Sequence, residues 1–121
     1  MRIKQVEEIL GIDRETIRFY IKEGLIAPKQ GSNRYREYSE EDIRQLKRIL
    51  IMRDLEMSVA DIRDIFSGET DFSSELRSSS NLLSEKQAAV TDSIRICNEL
   101  MKGNSASFDP ERYFRRRERT A

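Results

Sequence analysis

The feature that most constrains this chain is the short stretch Gly11-Ile12-Asp13, set between two runs whose apolar residues recur at helical spacing. Before it, Ile3, Val6, Ile9 and Leu10 fall on one face of a helix. Gly11 takes without steric cost the positive φ that ends a helix. Asp13 suits the N-cap of a second helix, Arg14 to Glu23, because its carboxylate accepts from a first-turn N–H that has no helical partner. Two short helices across a glycine-containing turn of a few residues make a helix-turn-helix.

The second helix carries a basic stripe. Arg14, Arg18 and Lys22 are spaced four apart and share a face, while Ile17 and Phe19 are expected to point towards the core. Pro28 stops further helix, and Gly31-Ser32-Asn33 reads as a turn between two short extended arms. Lys29 stands on the outgoing arm; the returning arm, Arg34-Tyr35-Arg36-Glu37-Tyr38, interleaves basic and aromatic side chains. A basic helix beside a basic-aromatic hairpin suits a DNA duplex, with the helix in the major groove and the hairpin on the flanking phosphates. The pattern is a winged helix-turn-helix. Spacing alone divides the contacts into base readers (Arg14, Thr16, Arg18) and phosphate clamps (Tyr20 and the wing residues Lys29, Arg34, Tyr35 and Arg36), with Lys22 completing the stripe. Glu15 either accepts from cytosine N4 or repels a phosphate and so sharpens specificity.

Overall charge hides this arrangement. Lys and Arg number 22, and so do Asp and Glu, for a net charge of zero. Residues 14–36, however, hold six Lys and Arg against two acids; residues 37–80 hold six against eleven; residues 110–121 hold five against two. The basic charge is concentrated where the helix and hairpin would meet DNA.

Further along, Ser39 followed by Glu40-Glu41-Asp42 is a helix start: a hydroxyl cap, then acids favoured by the helix dipole. That helix runs through Ile43, Leu46, Ile49, Leu50 and Arg53 and ends between Asp54 and Met57. Ser58 caps a shorter helix, with Val59, Ile62, Ile65 and Phe66 inward and Gly68 at its end. The N-terminus at Ser58 and the nearby Arg53 are open either to a phosphate contact or to plain packing.

Residues 69–75 are acidic and polar and read as a hinge. From Leu76 a heptad pattern follows, with Leu76, Leu83, Val90 and Cys97 on one line and Ser80, Gln87, Ile94 and Met101 on the other. A lone helix with such a stripe needs a partner, and a second copy of the chain is favoured over packing back onto its own domain. Lys102-Gly103-Asn104 ends this helix, and Asp109-Pro110-Glu111 starts one last turn. Phe108, Tyr113 and Phe114 are expected to dock on the coiled coil or the partner subunit; Arg115 to Arg119 reads as a tail rather than a phosphate contact. The expected organisation is a DNA-binding domain over 1–70, a dimerisation helix over 71–103 and a short tail over 104–121.

With Thr16-Ile17-Arg18-Phe19-Tyr20, Glu23-Gly24-Leu25-Ile26 with Pro28, and Tyr35-Arg36-Glu37-Tyr38-Ser39-Glu40-Glu41-Asp42 in this order, the chain resembles the MerR family of bacterial transcription regulators over about residues 2 to 66. The resemblance implies a mainly α fold: a winged helix-turn-helix of four helices and a two-stranded wing, then a long helix pairing in an antiparallel coiled coil. It implies that Arg18, Tyr20 and the Tyr35-Arg36 pair hold the DNA backbone, leaving Glu15 and Thr16 nearer the bases. It also implies a mechanism, in which the dimer bends and untwists an over-long promoter spacer so that RNA polymerase engages both elements. Where the family usually has glycine after the third helix, this chain has Glu56.

Other functions fare poorly. The chain has no histidine, so His-based acid–base and triad chemistry is excluded, and no glycine-rich phosphate loop is present. Cys97 is the only cysteine, too few for the thiolate clusters that bind metals or iron–sulfur centres, and no cofactor is expected. No apolar run approaches a membrane span and no signal peptide opens the sequence, so the expectation is a cytoplasmic, nucleoid-associated protein. The 18 residues after the long helix are too few for a ligand-binding domain. Two alternatives stay open: a small apolar or aromatic effector between Phe108, Tyr113, Phe114 and the DNA-binding domain, or none. The expected function is that of a homodimeric, sequence-specific regulator of promoter DNA. Its rivals are an architectural or chromosome-anchoring winged-helix protein and a protein-binding helical adaptor, the latter leaving the basic-aromatic wing unexplained.

Overall fold

Residues Ile3–Leu10 form helix α1 and Arg14–Lys22 form helix α2, joined by a turn closed as its residue types demand. Gly11 sits at φ 68° and its N–H donates to Glu7 O at 2.8 Å. Asp13 accepts from the Thr16 N–H at 2.8 Å and from the Thr16 hydroxyl at 2.7 Å. Helix α2 stops one residue short of expectation, with Glu23 as its cap. This computed structural model describes residues 1–103 and 107–116.

The wing is a minimal antiparallel sheet of β1 (Lys29–Gln30) and β2 (Arg36–Glu37), with Lys29 opposite Glu37 and Gln30 opposite Arg36. Its tip is held by Gly31 N–H to Tyr35 O at 2.6 Å. A Cβ on Gly31 would stand 3.2 Å from that same oxygen, a tight approach that glycine avoids. Arg34 takes the left-handed φ of 67° that completes the tip. At the wing's exit the Tyr38 N–H donates to Met1 O at 2.8 Å, tying it to the entrance of α1.

Helices α3 (Glu40–Asp54) and α4 (Val59–Ser67) both start in capping boxes: Ser39 with Asp42, and Ser58 with Asp61, each hydroxyl accepting from the acid's N–H at 3.0 Å. Val6, Ile17, Leu46, Ile49 and Ile62 are completely buried, so α1 to α4 share one core, closed by Tyr20, Leu25, Ile26, Tyr38, Ile43, Met52 and Met57. Arg63 of α4 reaches back to the end of α2, donating to Glu23 O at 3.2 and 2.9 Å and to Glu23 Oε2 at 2.7 Å. It thereby serves a helix-end carbonyl that the helix itself cannot pair.

Three expectations change. Ile9 is 52% exposed and Phe19 44% exposed, so neither faces the core. Tyr20 turns inward instead, at 5% exposure. On a helix of 3.6 residues per turn, Tyr20 lies about 300° round from Ile17 (60° the short way) and Phe19 about 200°, which decides which aromatic joins Ile17. The long helix α5 (Phe72–Gly103) begins inside the segment read as a hinge, because Asp71 caps it, accepting from the Ser74 N–H at 3.3 Å. Asp109 accepts from Glu111 N–H at 3.1 Å and starts a 3₁₀ turn over Pro110–Arg112, as expected. Asn104, Arg117, Glu118 and Arg119 lie outside the described residues.

The chain divides into two compact units, Met1–Leu83 and the residues from Ser84 onward, so the first turns of α5 belong with the winged helix-turn-helix. Between α3 and α4, Glu56 keeps the left-handed geometry usual for glycine, at φ 70°. Replacing Glu56 by Gly should therefore stabilise the fold by about 0.5–1 kcal/mol, read as a higher denaturation midpoint. A loss would mean that the Glu56 side chain contributes more than its backbone costs. Leu46→Ala, in the centre of the core, should destabilise by roughly 2–5 kcal/mol in the same measurement.

Candidate nucleic-acid interface

A cleft of about 510 Å³ opens between the start of α1, the outer face of α2 and the wing. Six cations line it, Arg2, Lys4, Arg14, Arg18, Arg34 and Arg36, and among the described residues its lining includes no carboxylate. Four of the six were picked out by spacing. Arg2 and Lys4 were not, because nothing in their local sequence says that the first turn of α1 would stand beside a wing some thirty residues on. The one available signal is that both are exposed cations at the start of α1, Arg2 as its N-cap and Lys4 about 200° round the helix from Val6.

The wing aromatic is part of the same surface. The Arg2 guanidinium carbon lies 4.5 Å from the centroid of the Tyr35 ring, and Tyr35 is itself exposed. Such a contact is worth about 0.5–1 kcal/mol at an exposed site, enough to orient the ring without locking it. Tyr38 lies beneath. Burial pushes its phenol above the ordinary range, against the pull of Arg36 and Arg18.

Other residues singled out by sequence are placed differently. Glu15, Lys22 and Lys29 are exposed but outside the cleft, Lys22 on the last turn of α2 and Lys29 on the outgoing strand. Thr16 is half-buried and its hydroxyl is committed to Asp13. That hydroxyl, and then the Thr16 N–H, hold the Asp13 carboxyl below the usual carboxylate range. Tyr20, read as a phosphate clamp, has its ring in the core. Arg53 donates to Met57 O at 3.0 Å and so braces the turn into α4.

The second unit shows two contrasting faces of α5. Val90, Ile94, Cys97 and Met101, spaced four, three and four apart, are all exposed. Asp92 and Glu99 stand two residues on from Val90 and Cys97, about 200° round the helix. There the C-terminal segment folds back: the Tyr113 hydroxyl donates to Glu99 Oε2 at 3.1 Å and Arg115 pairs with Asp92 at 3.2 Å. Arg95 bridges Asp92 and Glu99 at 2.9 and 2.7 Å, and its hydrogen bonds are the main cause holding both carboxyls below their ordinary values. Tyr113 packs edge-on against Phe108, with 5.9 Å between centroids, while Phe108 and Phe114 remain exposed. In the first unit, Leu76 is exposed and Leu83 half-buried.

Comparison with known proteins agrees with this geometry. Residues 1–69 match the model of the MerR HTH family regulatory proteins. The chain is 32% identical over 100 residues to the transcriptional regulator HmrR of Rhizobium leguminosarum, a match covering 83% of this chain and 75% of that protein. It is 37% identical over 70 residues to a ZntR homologue of Haemophilus influenzae, covering 57% of this chain and only about half, 52%, of that relative. In fold it is similar to the N-terminal part of MtaN, the multidrug transporter activator of Bacillus subtilis, with a TM-score of 0.68 at 24% identity over 84% of this chain and 97% of that one. With its winged helix-turn-helix and the long helix that follows, this chain belongs to the MerR family of DNA-binding transcriptional regulators.

Proposed function

We propose that the protein binds double-stranded promoter DNA as a homodimer, with α2 in the major groove and the wing on the flanking phosphates. The observation that supports this reading is the cleft in which six cations from α1, α2 and the wing converge with no carboxylate among the described lining residues, Arg14 alone of α2's two cleft arginines being paired, to Glu7. Arg2, Lys4, Arg18, Arg34 and Arg36 hold phosphates there, and Tyr35 packs on the sugar–phosphate edge. Arg14, Glu15 and Thr16, at the start of α2, stand nearest the base edges, as N-terminal residues of a recognition helix do. Lys22 and Lys29 extend the basic surface on either side. Tyr20 supports the helix from below, and Arg53 holds the turn ahead of the α4 N-terminus.

The pairing of two copies is supported by α5. Its row of Val90, Ile94, Cys97 and Met101 is apolar and exposed, while the opposite face of its C-terminal part is engaged by Tyr113 and Arg115. In the first unit the same heptad lines carry Leu76, exposed, and Leu83, half-buried. Two copies pairing through the exposed row bring two winged helices onto two half-sites. Binding then deforms the promoter between the half-sites. The energy of that deformation adds to base contacts in selecting the sequence and in admitting RNA polymerase. Such a protein works in the bacterial cytoplasm, at the nucleoid.

Selection of bound duplexes from a random library, at one salt concentration, tests the reading as a whole. Two short inverted half-sites with a defined centre support it; enrichment of bent A·T-rich DNA without inverted symmetry would replace it with an architectural role. Arg18→Ala should weaken binding to the selected site about tenfold or more and leave the helical circular dichroism unchanged. Because the dimer loses two phosphate contacts, the slope of log affinity against log salt should also fall by about two. Wild-type binding by this variant would remove α2 from the groove. Val90→Glu with Ile94→Glu should give monomers in sedimentation at micromolar concentration, and persistent dimers would place the interface elsewhere.

A further inference from the structure

Arg14 and Arg18 share the basic stripe, but Arg14 alone is pinned by a carboxylate from another helix. Its Nε and Nη2 donate to Glu7 Oε1 at 3.1 and 2.8 Å, and its backbone N–H donates to Glu7 Oε2 at 3.1 Å. The Glu7 side chain is 24% exposed and that of Arg14 46% exposed, so the pair sits at the floor of the surface with its arginine outermost. One carboxylate thus serves both the first N–H of α2 and one edge of the guanidinium.

The guanidinium is a planar fork of five N–H donors. Glu7 occupies its Nε/Nη2 edge. One Nη1 hydrogen and the second Nη2 hydrogen form the end edge, whose direction is set because the group is flat and held on one side. Arg14 also lines the cationic cleft and is the first residue of α2, where a recognition helix comes closest to the bases. Guanine offers O6 and N7 side by side in the major groove, a pair of acceptors that matches such an edge. An unpinned arginine would have to give up its rotamer freedom on binding; here folding has already restricted it.

We propose that Glu7 is a positioning residue for sequence recognition: it holds Arg14 so that the free edge of the guanidinium reads one guanine in each half-site. The inference rests on the DNA-binding reading above. The competing consequence of the same contact is charge neutralisation, in which Glu7 draws Arg14 away from DNA and lowers affinity for every duplex alike.

The test measures Kd for the best selected duplex, and for versions changed at one base pair at a time, with the full-length protein at fixed salt. Wild type should prefer guanine at one position per half-site by about tenfold over the other bases. Glu7→Gln should flatten that preference to less than about threefold while leaving the preferences at other positions intact. Arg14→Lys keeps the charge but lacks the fork, so it should flatten the same position and leave the salt dependence of binding unchanged. The second variant carries the test if Glu7→Gln fails to fold. Retained guanine preference in either folded variant overturns the proposal, as does a Glu7→Gln variant whose affinity changes equally for all duplexes. Wild type that binds a defined site without such a guanine overturns it too, leaving the DNA-binding reading intact. Wild type with no salt-dependent retention of any duplex overturns both.

Discussion

The basic surface of this protein depends on the angle between α1 and α2. Three contacts set that angle: Gly11 in a left-handed conformation, the Asp13 cap, and the Glu7 carboxylate spanning the turn to the first N–H of α2. Only with this joint closed do Val6 and Ile17 bury together against Leu46, Ile49 and Ile62. The same closure turns Arg14 and Arg18 outward beside the wing. The joint is therefore both the foundation of the core and the frame of the basic surface, and a change there affects stability and recognition together.

A chain of zero net charge can present a strongly cationic surface because its two signs do different work. Many of its acids stand at helix starts, where the dipole and capping hydrogen bonds favour them: Glu40, Glu41 and Asp42 open α3, and Asp61 opens α4. Six of its 22 cations instead gather on the side of α1, α2 and the wing that the core leaves free. Local helix chemistry thus withdraws negative charge from the cleft, and the fold assembles positive charge into it. Screening at physiological salt reaches a unit charge within about 8 Å, so the field of such a cleft acts on a polyanion chiefly near contact.

The long helix is likewise divided by face. Around residues 92 to 99 one side is occupied by the chain's own C-terminal segment through Tyr113, Arg115 and Arg95. The other side keeps Val90, Ile94, Cys97 and Met101 open. Exposed branched and sulfur-containing side chains in a helical row gain most by burial against a similar row, at about 25 cal/mol per Å² of apolar surface removed from water. Covering one face while leaving the other open confines that gain to the exposed row.

Local chemistry was legible in the sequence wherever a feature is decided within a few residues. Gly11, Asp13, Ser39, Ser58 and Gly68 mark helix ends through φ or a capping hydrogen bond; the spacing of Arg14, Arg18 and Lys22 marks a basic face; Gly31-Ser32-Asn33 marks the wing turn. The family itself could be recognised there, because those marks occur in a fixed order. Helical spacing from Ile17 also favours Tyr20 over Phe19 for the core, a signal within α2 itself. Tertiary structure alone decided that Glu56 adopts a glycine-like conformation. It also decided that Arg63 serves the end of α2 and that Arg2 and Lys4 join the cleft. The physical reason is common to all of these. Each depends on what another element brings within a few ångströms, and a periodic pattern along one helix carries no information about its neighbour's position.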